Sequence, residues 1–250
     1  MRYFIEFSYF GARYHGWQNQ PNALTVQSVL EDALSKLLRS NISVVGAGRT
    51  DAGVHAKQMY AHFDTDLLED TTGLMYRLNA FLPGDIAVQR FVEVAPDTHA
   101  RFHAIERSYE YWVVLEKDPF LTTKAYYVKH PLDVVKMNQA AALLLEHSDF
   151  ECFSKSNTDV KTYICEVRAA HWEWRDNVLV FTISADRFLR NMVRAVVGTL
   201  LDVGSGKQSV ESVQRIMESK DRAEAGASVP AKGLYLTAVI YPDKMLKVHG

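Results

Sequence analysis

Apolar residues recur at Val26, Val29, Leu30, Ala33, Leu34, Leu37 and Leu38, three and four positions apart, the spacing of a helix that buries one face. Thr25 stands where such a helix needs a cap. Ahead of it, Arg2-Tyr-Phe-Ile-Glu-Phe-Ser-Tyr9 is aromatic-rich and strand-like, and a loop carrying Gly, His, Trp, Gln and Pro runs from Gly11 to Asn22. Ile42 to Val45 reads as a strand, and Gln58 to Phe63 alternates polar and apolar like a second one, so the segment between them joins strand to strand. A shorter helix is expected near Leu74 to Phe81, stopped by Pro83-Gly84, and then a strand from Ile86 to Val94.

The second half opens with strands at Tyr109 to Leu115 and Ala125 to Lys129 and a helix from about Leu132 to Glu146. Glu166 to Trp174 and Val178 to Ser184 flank Arg175-Asp-Asn177 as a hairpin. Helices over Arg187 to Val203 and Gln208 to Ser219 lead to a last strand, Leu234 to Tyr241. Hairpins and helices alternating in this way predict an α+β fold with a largely antiparallel sheet covered by helices on one face. No sequence repeat and no Pro/Ser-rich linker is visible. The long connections at 147–163 and 221–233 read as mobile or ligand-contacting.

Composition narrows the class. A chain of 250 residues, 48% hydrophobic and 11% aromatic, can bury a substantial core. Its 28 basic and 30 acidic residues give a formal charge of −2, so nucleic-acid binding needs local concentrations of positive charge. Cys152 and Cys165 cannot build a disulfide framework, and Glu6 interrupts any apolar run at the start, so no signal peptide is expected and a reducing cytoplasm is the expected location. No stretch approaches the roughly 20 apolar residues of a membrane span.

The strongest candidate chemistry lies in Gly46-Ala-Gly-Arg-Thr-Asp-Ala-Gly-Val-His55. Its glycines permit an unusual backbone shape and close approach of a ligand, while Arg49 and Asp51 stand two residues apart. A carboxylate beside a guanidinium stays ionised, as a nucleophile or base must. On the expected helix at Arg187, the residues Leu189, Met192, Val193, Val196, Val197 and Leu200 make an apolar face opposite Arg187, Arg190 and Arg194. That stripe is either a solvated face, a phosphate site, or the holder of a catalytic carboxylate. Arg101-Phe-His103 and Arg107-Ser-Tyr-Glu-Tyr111 interleave arginines with aromatics, a pattern suited to single-stranded RNA and equally to core strands.

Three rival motifs fall away. A dinucleotide fingerprint needs a glycine where Asp51 stands and a helix afterwards. Gly204-Ser-Gly-Lys207 has Leu201 where a phosphate loop has its first glycine and reads as a helix-ending turn. His99 and His103 lack an intervening Glu, so no metal site is expected.

Taken together, these segments resemble the TruA family of tRNA pseudouridine synthases along nearly the whole chain. The resemblance rests on Gly48-Arg-Thr-Asp-Ala-Gly-Val-His55, Tyr14-His-Gly-Trp-Gln18, Asn79-Ala-Phe-Leu-Pro-Gly-Asp-Ile86, His99-Ala-Arg-Phe102, Phe188-Leu-Arg-Asn-Met-Val-Arg194 and Gly233-Leu-Tyr-Leu236 before Tyr241-Pro242. It implies a catalytic Asp51, Arg194 as its ion-pair partner, Tyr109 stacking on the target uracil, Leu234 lining the same pocket, and Arg49 engaging the RNA backbone. Arg187 and Arg190 are further candidates for substrate binding. The implied architecture is two similar lobes, 1–105 with the Asp loop and 106–250 with the Tyr and Arg partners, sharing a sheet with an RNA-binding cleft between them. The implied activity is isomerisation of uridine to pseudouridine at positions 38, 39 and 40 of the tRNA anticodon stem-loop, by a homodimer without metal or organic cofactor. A catalytically inactive RNA-binding relative is the alternative. The tail after Pro242 is shorter than in some relatives, which bears on dimerisation.

Overall fold

The structure is a computed structural model and describes residues 1–155 and 160–246. The middle of the connection at 147–163 and the end of the tail, 247–250, lie outside the described residues. The chain divides into two compact units, one of Met1–Ile105 with the segment from Tyr235 onward, the other of Glu106–Leu234.

In the first unit, β1 (Arg2–Tyr9) is flanked by antiparallel neighbours, β3 (His55–Asp64) and β4 (Ile86–Val94). Tyr3, Ile5, Phe7 and Tyr9 of β1 are buried, whereas Arg2, Glu6 and Ser8 on the other face are only partly covered. Phe4 shares that second face and is nonetheless fully buried, because Tyr241, tied to the segment after β4, closes over it. There the Ala100 N–H donates to His62 Nδ1 at 3.1 Å, the Tyr241 hydroxyl donates to the Ala100 carbonyl at 2.6 Å, and the Tyr241 ring meets Phe4 at 5.2 Å.

Helix α1 (Val26–Leu38) starts at a capping box: the Thr25 hydroxyl accepts from the Ser28 N–H, and the Ser28 hydroxyl accepts from the Thr25 N–H. Such a cap contributes about 1 kcal/mol. Val26, Leu30, Ala33 and Leu34 form its buried stripe. The strand expected at Ile42 to Val45 shortens to β2 (Val45–Gly46), because α1 takes the backbone before it. Ile42 N–H donates to Ser35 Oγ at 2.9 Å and Val44 N–H to Glu31 Oε1 at 2.8 Å. Helix α2 (Thr71–Phe81) is capped by Asp70 and packs along β4, where Asn79 bonds both the N–H and the carbonyl of Val88.

The second unit centres on β8 (Val178–Ala185), antiparallel to β5 (Glu106–Val114) on one side and β7 (Val167–Arg175) on the other, with β6 (Tyr126–Tyr127) parallel to β5. The β7–β8 turn is the expected one and places Asp176 at φ 54°. Helices α3 (Val134–Leu143), α4 (Met192–Gly204) and α5 (Glu211–Ser219) complete it. In α4 every residue except Arg194 and Asp202 is buried, so it is a core helix and not a surface one.

Two expectations fail here. Helix α4 begins at Met192, not near Arg187, since Asn191 turns left-handed at φ 67° and the Arg187 N–H is taken by the Asp186 carboxylate at 2.7 Å. Arg187 and Arg190 therefore share no helix face with Arg194. The last strand, Leu234–Ile240, was expected with the second lobe. It runs parallel to β3, pairing His55 with Tyr235 and Ala56 with Leu236, and the Ile105 N–H donates to the Ile240 carbonyl at 2.9 Å. Those bonds draw the chain from Tyr235 onward into the first unit. Among the described residues no helix is long and apolar enough to cross a membrane.

Candidate functional site

The loop bearing Asp51 leaves the sheet at β2 and re-enters at β3, two strands that pair as Val45 with His62 and Gly46 with Ala61. Its tip closes when the Val54 N–H donates to the Asp51 carbonyl at 3.1 Å, with Gly53 at φ 80°. The loop is braced from the chain between β1 and α1. Trp17 N–H donates to the Thr50 carbonyl at 3.1 Å, Gly53 N–H to the Tyr14 carbonyl at 3.2 Å, and Tyr9 and Thr50 hydroxyls share a 2.8 Å bond.

His55 anchors the far end. Its Nδ1 accepts the Gly11 N–H at 2.8 Å, and its ring lies between Phe10 at 4.1 Å and Tyr235 at 4.7 Å. Gly16 has φ 90°, and a Cβ there would run into the Thr50 carbonyl oxygen and stand 3.1 Å from Asp51 C and 3.2 Å from Ala52 N. A Cβ on Gly46 would stand 2.6 Å from the Trp17 indole. Close approach at these glycines thus serves the loop's own bracing. On this frame Asp51 is half-buried and Arg49 exposed.

Tyr14, Gly16, Trp17 and His55 carry no chemistry of their own in the sequence reading. Their signal was their place in two matched motifs, and the structure gives them the job of fixing the backbone of Thr50 to Val54.

In the second unit Tyr109 lies on β5, half-buried, with its ring edge-on to Phe188 at 5.1 Å. Tyr111 on the same strand is fully buried and donates its hydroxyl to the Pro230 carbonyl at 2.7 Å. Burial pushes that hydroxyl's pKa well above its ordinary value, so Tyr111 is a neutral structural donor, while Tyr109 is only half-buried.

Arg194 sits in the first turn of α4, where its Nε donates to the Val229 carbonyl at 2.7 Å and its carbonyl accepts the Val229 N–H at 3.2 Å. The connection at 221–233 was expected to be mobile or ligand-contacting, and many bonds hold it in place. Thr199 Oγ1 accepts the Gly226 N–H at 2.8 Å, Asn191 Nδ2 donates to Ser228 Oγ at 2.5 Å, and Arg222 reaches the Ala225 and Gly226 carbonyls and Ser228 Oγ. Gly198 and Gly226 let α4 and this segment touch backbone to backbone, since a Cβ on Gly226 would stand 2.6 Å from Thr199 N. Leu234, at the end of the segment, is buried.

Arg187 and Arg190 lie on the connection before α4, the first half-buried, the second exposed with its carbonyl accepting the Lys155 N–H at 3.0 Å. Asp51 and Arg49 belong to the first unit, and Tyr109, Arg187, Arg190, Arg194 and Leu234 to the second. His99 and His103 spend their Nδ1 atoms as acceptors of backbone N–H groups within one turn.

A family model described as tRNA pseudouridine synthase matches residues 6–103 and 140–242. The match contains Asp51, Arg194 and Leu234 and leaves Tyr109 outside. The chain is 52% identical over 245 residues to the tRNA pseudouridine synthase A of Bacteroides thetaiotaomicron, covering 97% of this chain and 91% of that protein. It is 49% identical over 249 residues to the protein of the same name from Parabacteroides distasonis, covering 99% of each. A more distant relative of that name, from Acetivibrio thermocellus, is 40% identical over 235 residues, with 93% of this chain and 96% of that protein covered.

Proposed function

The chain belongs to the tRNA pseudouridine synthase family, and from that premise we propose that its isomerisation of tRNA uridines falls at positions 38, 39 and 40 of the anticodon stem-loop. The observation that carries this reading is 52% identity over nearly the whole length to a protein named tRNA pseudouridine synthase A.

The reaction breaks the N1–C1′ glycosidic bond, turns the uracil while it stays bound, and rejoins it through C5. The base must first leave the stack. Asp51 is the catalytic carboxylate in this proposal, attacking C1′, adding to the base, or removing a sugar proton. The bracing of Thr50 to Val54 supports that role, because it fixes the backbone that carries the carboxylate. Arg194 is its ion-pair partner, and its place in the first turn of a buried helix supports that role. Tyr109, half-buried beside Phe188, stacks on the uracil. Leu234 lines the pocket, Arg49 holds the RNA backbone, and Arg187 and Arg190 supply phosphate contacts. The RNA-binding cleft and paired lobes that the resemblance implies, a homodimer, and a cytoplasmic location belong to the same proposal.

Mapping of pseudouridine in tRNA from cells lacking this protein, with and without the chain restored, tests it. The expected result is loss and recovery at positions 38 to 40 alone. An unchanged map on deletion, with tRNA still bound by the protein, points instead to a binding-only relative.

A further inference from the structure

The segment after β4 holds an aromatic ring out in solvent on a rigid support. Phe102 is 73% exposed, yet its ring stacks on His99 at 4.2 Å, and His99 in turn packs edge-on against the buried His62 at 4.6 Å. The turn that carries it is closed in both directions: His99 N–H donates to His103 Nδ1 at 2.9 Å and His103 N–H to the His99 carbonyl at 3.1 Å. His99 Nδ1 accepts the Arg101 N–H at 3.1 Å and the Phe102 N–H at 3.4 Å. Burial, and next the charge of Arg2, hold the His99 imidazole below its usual range, so Nδ1 remains an acceptor at neutral pH. The Arg101 guanidinium lies over the Phe102 ring, 5.8 Å from its centroid.

Phe120 and Tyr76 are 84% and 71% exposed, and among the described residues no ring or guanidinium stacks on either.

We propose that Phe102 and Arg101 form a nucleotide-binding platform on which an unpaired base of the tRNA substrate stacks against the Phe102 ring while its phosphate pairs with Arg101. A ring already fixed in place loses little freedom when a base arrives, and any base offers a face to stack on. Unstacked nucleotides in loops and ends are where proteins grip RNA in this way, and a guanidinium matches a phosphate bidentately. The platform rests on the tRNA reading above and adds to it a contact outside the residues that act on the uracil.

Steady-state pseudouridine formation on a full-length tRNA transcript, with direct measurement of tRNA Kd, tests the platform in four variants. Phe102→Ala raises KM and Kd roughly tenfold with kcat unchanged. Phe102→Trp stays near wild type, Phe102→Leu behaves like Phe102→Ala, and Arg101→Ala lowers the salt slope of binding by about one. Wild-type Kd in Phe102→Ala, or full rescue by Phe102→Leu, overturns the proposal, the latter because apolar area without a stacking face then suffices, as for a protein partner. If Phe102→Ala does not fold, Phe102→Trp against Phe102→Leu decides the same question. A wild-type chain that makes no pseudouridine refutes the proposed function instead, whereas an active wild type with indifferent variants refutes the platform alone.

Discussion

The loop of Asp51 and the first turns of α4 hold their candidate residues with a different balance of main-chain and side-chain contacts. Around Asp51 the bracing is mostly main chain against main chain, with Trp17 and Gly53 bonded across to Thr50 and Tyr14 and with Gly16 laid directly on Thr50 to Ala52. Around Arg194 the neighbouring segment also meets α4 main chain to main chain, at the Val229 N–H and at Gly198 and Gly226, and side chains add further fastenings through Thr199, Asn191 and Arg222. A main-chain brace has no flexible part to give way, so one added methyl group displaces the functional backbone itself. A side-chain brace fails one hydrogen bond at a time.

Gly16→Ala tests the first half of that contrast and has the largest expected effect. The methyl group must occupy the space of the Thr50 carbonyl at a φ of 90°, for a combined strain and overpacking cost of about 4 kcal/mol. Denaturant unfolding reads the stability, and pseudouridine formation should fall with it. A variant as stable and as active as wild type removes the main-chain brace from the account.

Acid should loosen the first unit before the second. Burial, then His99 and Arg2, lower the His62 imidazole to about 4, whereas His130, His147 and His171 in the second unit are exposed or half-buried. The unfolded chain takes up the proton first, near the ordinary value of about 6.5. The stabilisation is therefore complete above that pH and is lost as pH falls from there towards 4, by up to roughly 3 kcal/mol. Urea unfolding at pH 7 and pH 4.5 measures it. His62→Gln, which keeps an acceptor for the Ala100 N–H, should flatten the slope, and an unchanged slope assigns the acid sensitivity elsewhere.

Thr199→Val breaks one side-chain fastening in the second unit. It strands the buried Gly226 N–H at a cost of about 2 kcal/mol, with a smaller loss of activity than Gly16→Ala. A loss of activity larger than that of Gly16→Ala inverts the comparison.

What the sequence made legible follows the range of the interactions. Strands β1 and β4, the stripe of α1 and the β7–β8 hairpin depend on neighbours a few residues away, and periodicity and turn chemistry found them. Ile42 to Val44 looked like strand because its alternation is real: Ile42 and Val44 are buried and Ser43 is exposed. Side chains of α1 hold that backbone, and composition cannot reveal such a competitor. Leu189 fits the helical period of α4 although it precedes the helix, so the pattern ran on through Asn191 and carried Arg187 and Arg190 onto a face they do not share. The return of the last strand to β3 is a pairing between distant segments and left no local trace. Within the site, Asp51 and its glycines announced a special loop. The partners that shape it, Gly11, Gly16 and Trp17, stand in another segment whose purpose shows only when the two are laid together.

In the proposed reaction Asp51 does the chemistry and the rest of its loop holds it in place. Single-turnover pseudouridine formation by Asp51→Asn, with tRNA Kd measured on the same preparation, tests this most directly. The expected result is no detectable product with a Kd close to wild type, since the amide is the size of the carboxylate and lacks its charge. Product formed at a rate comparable to wild type contradicts it.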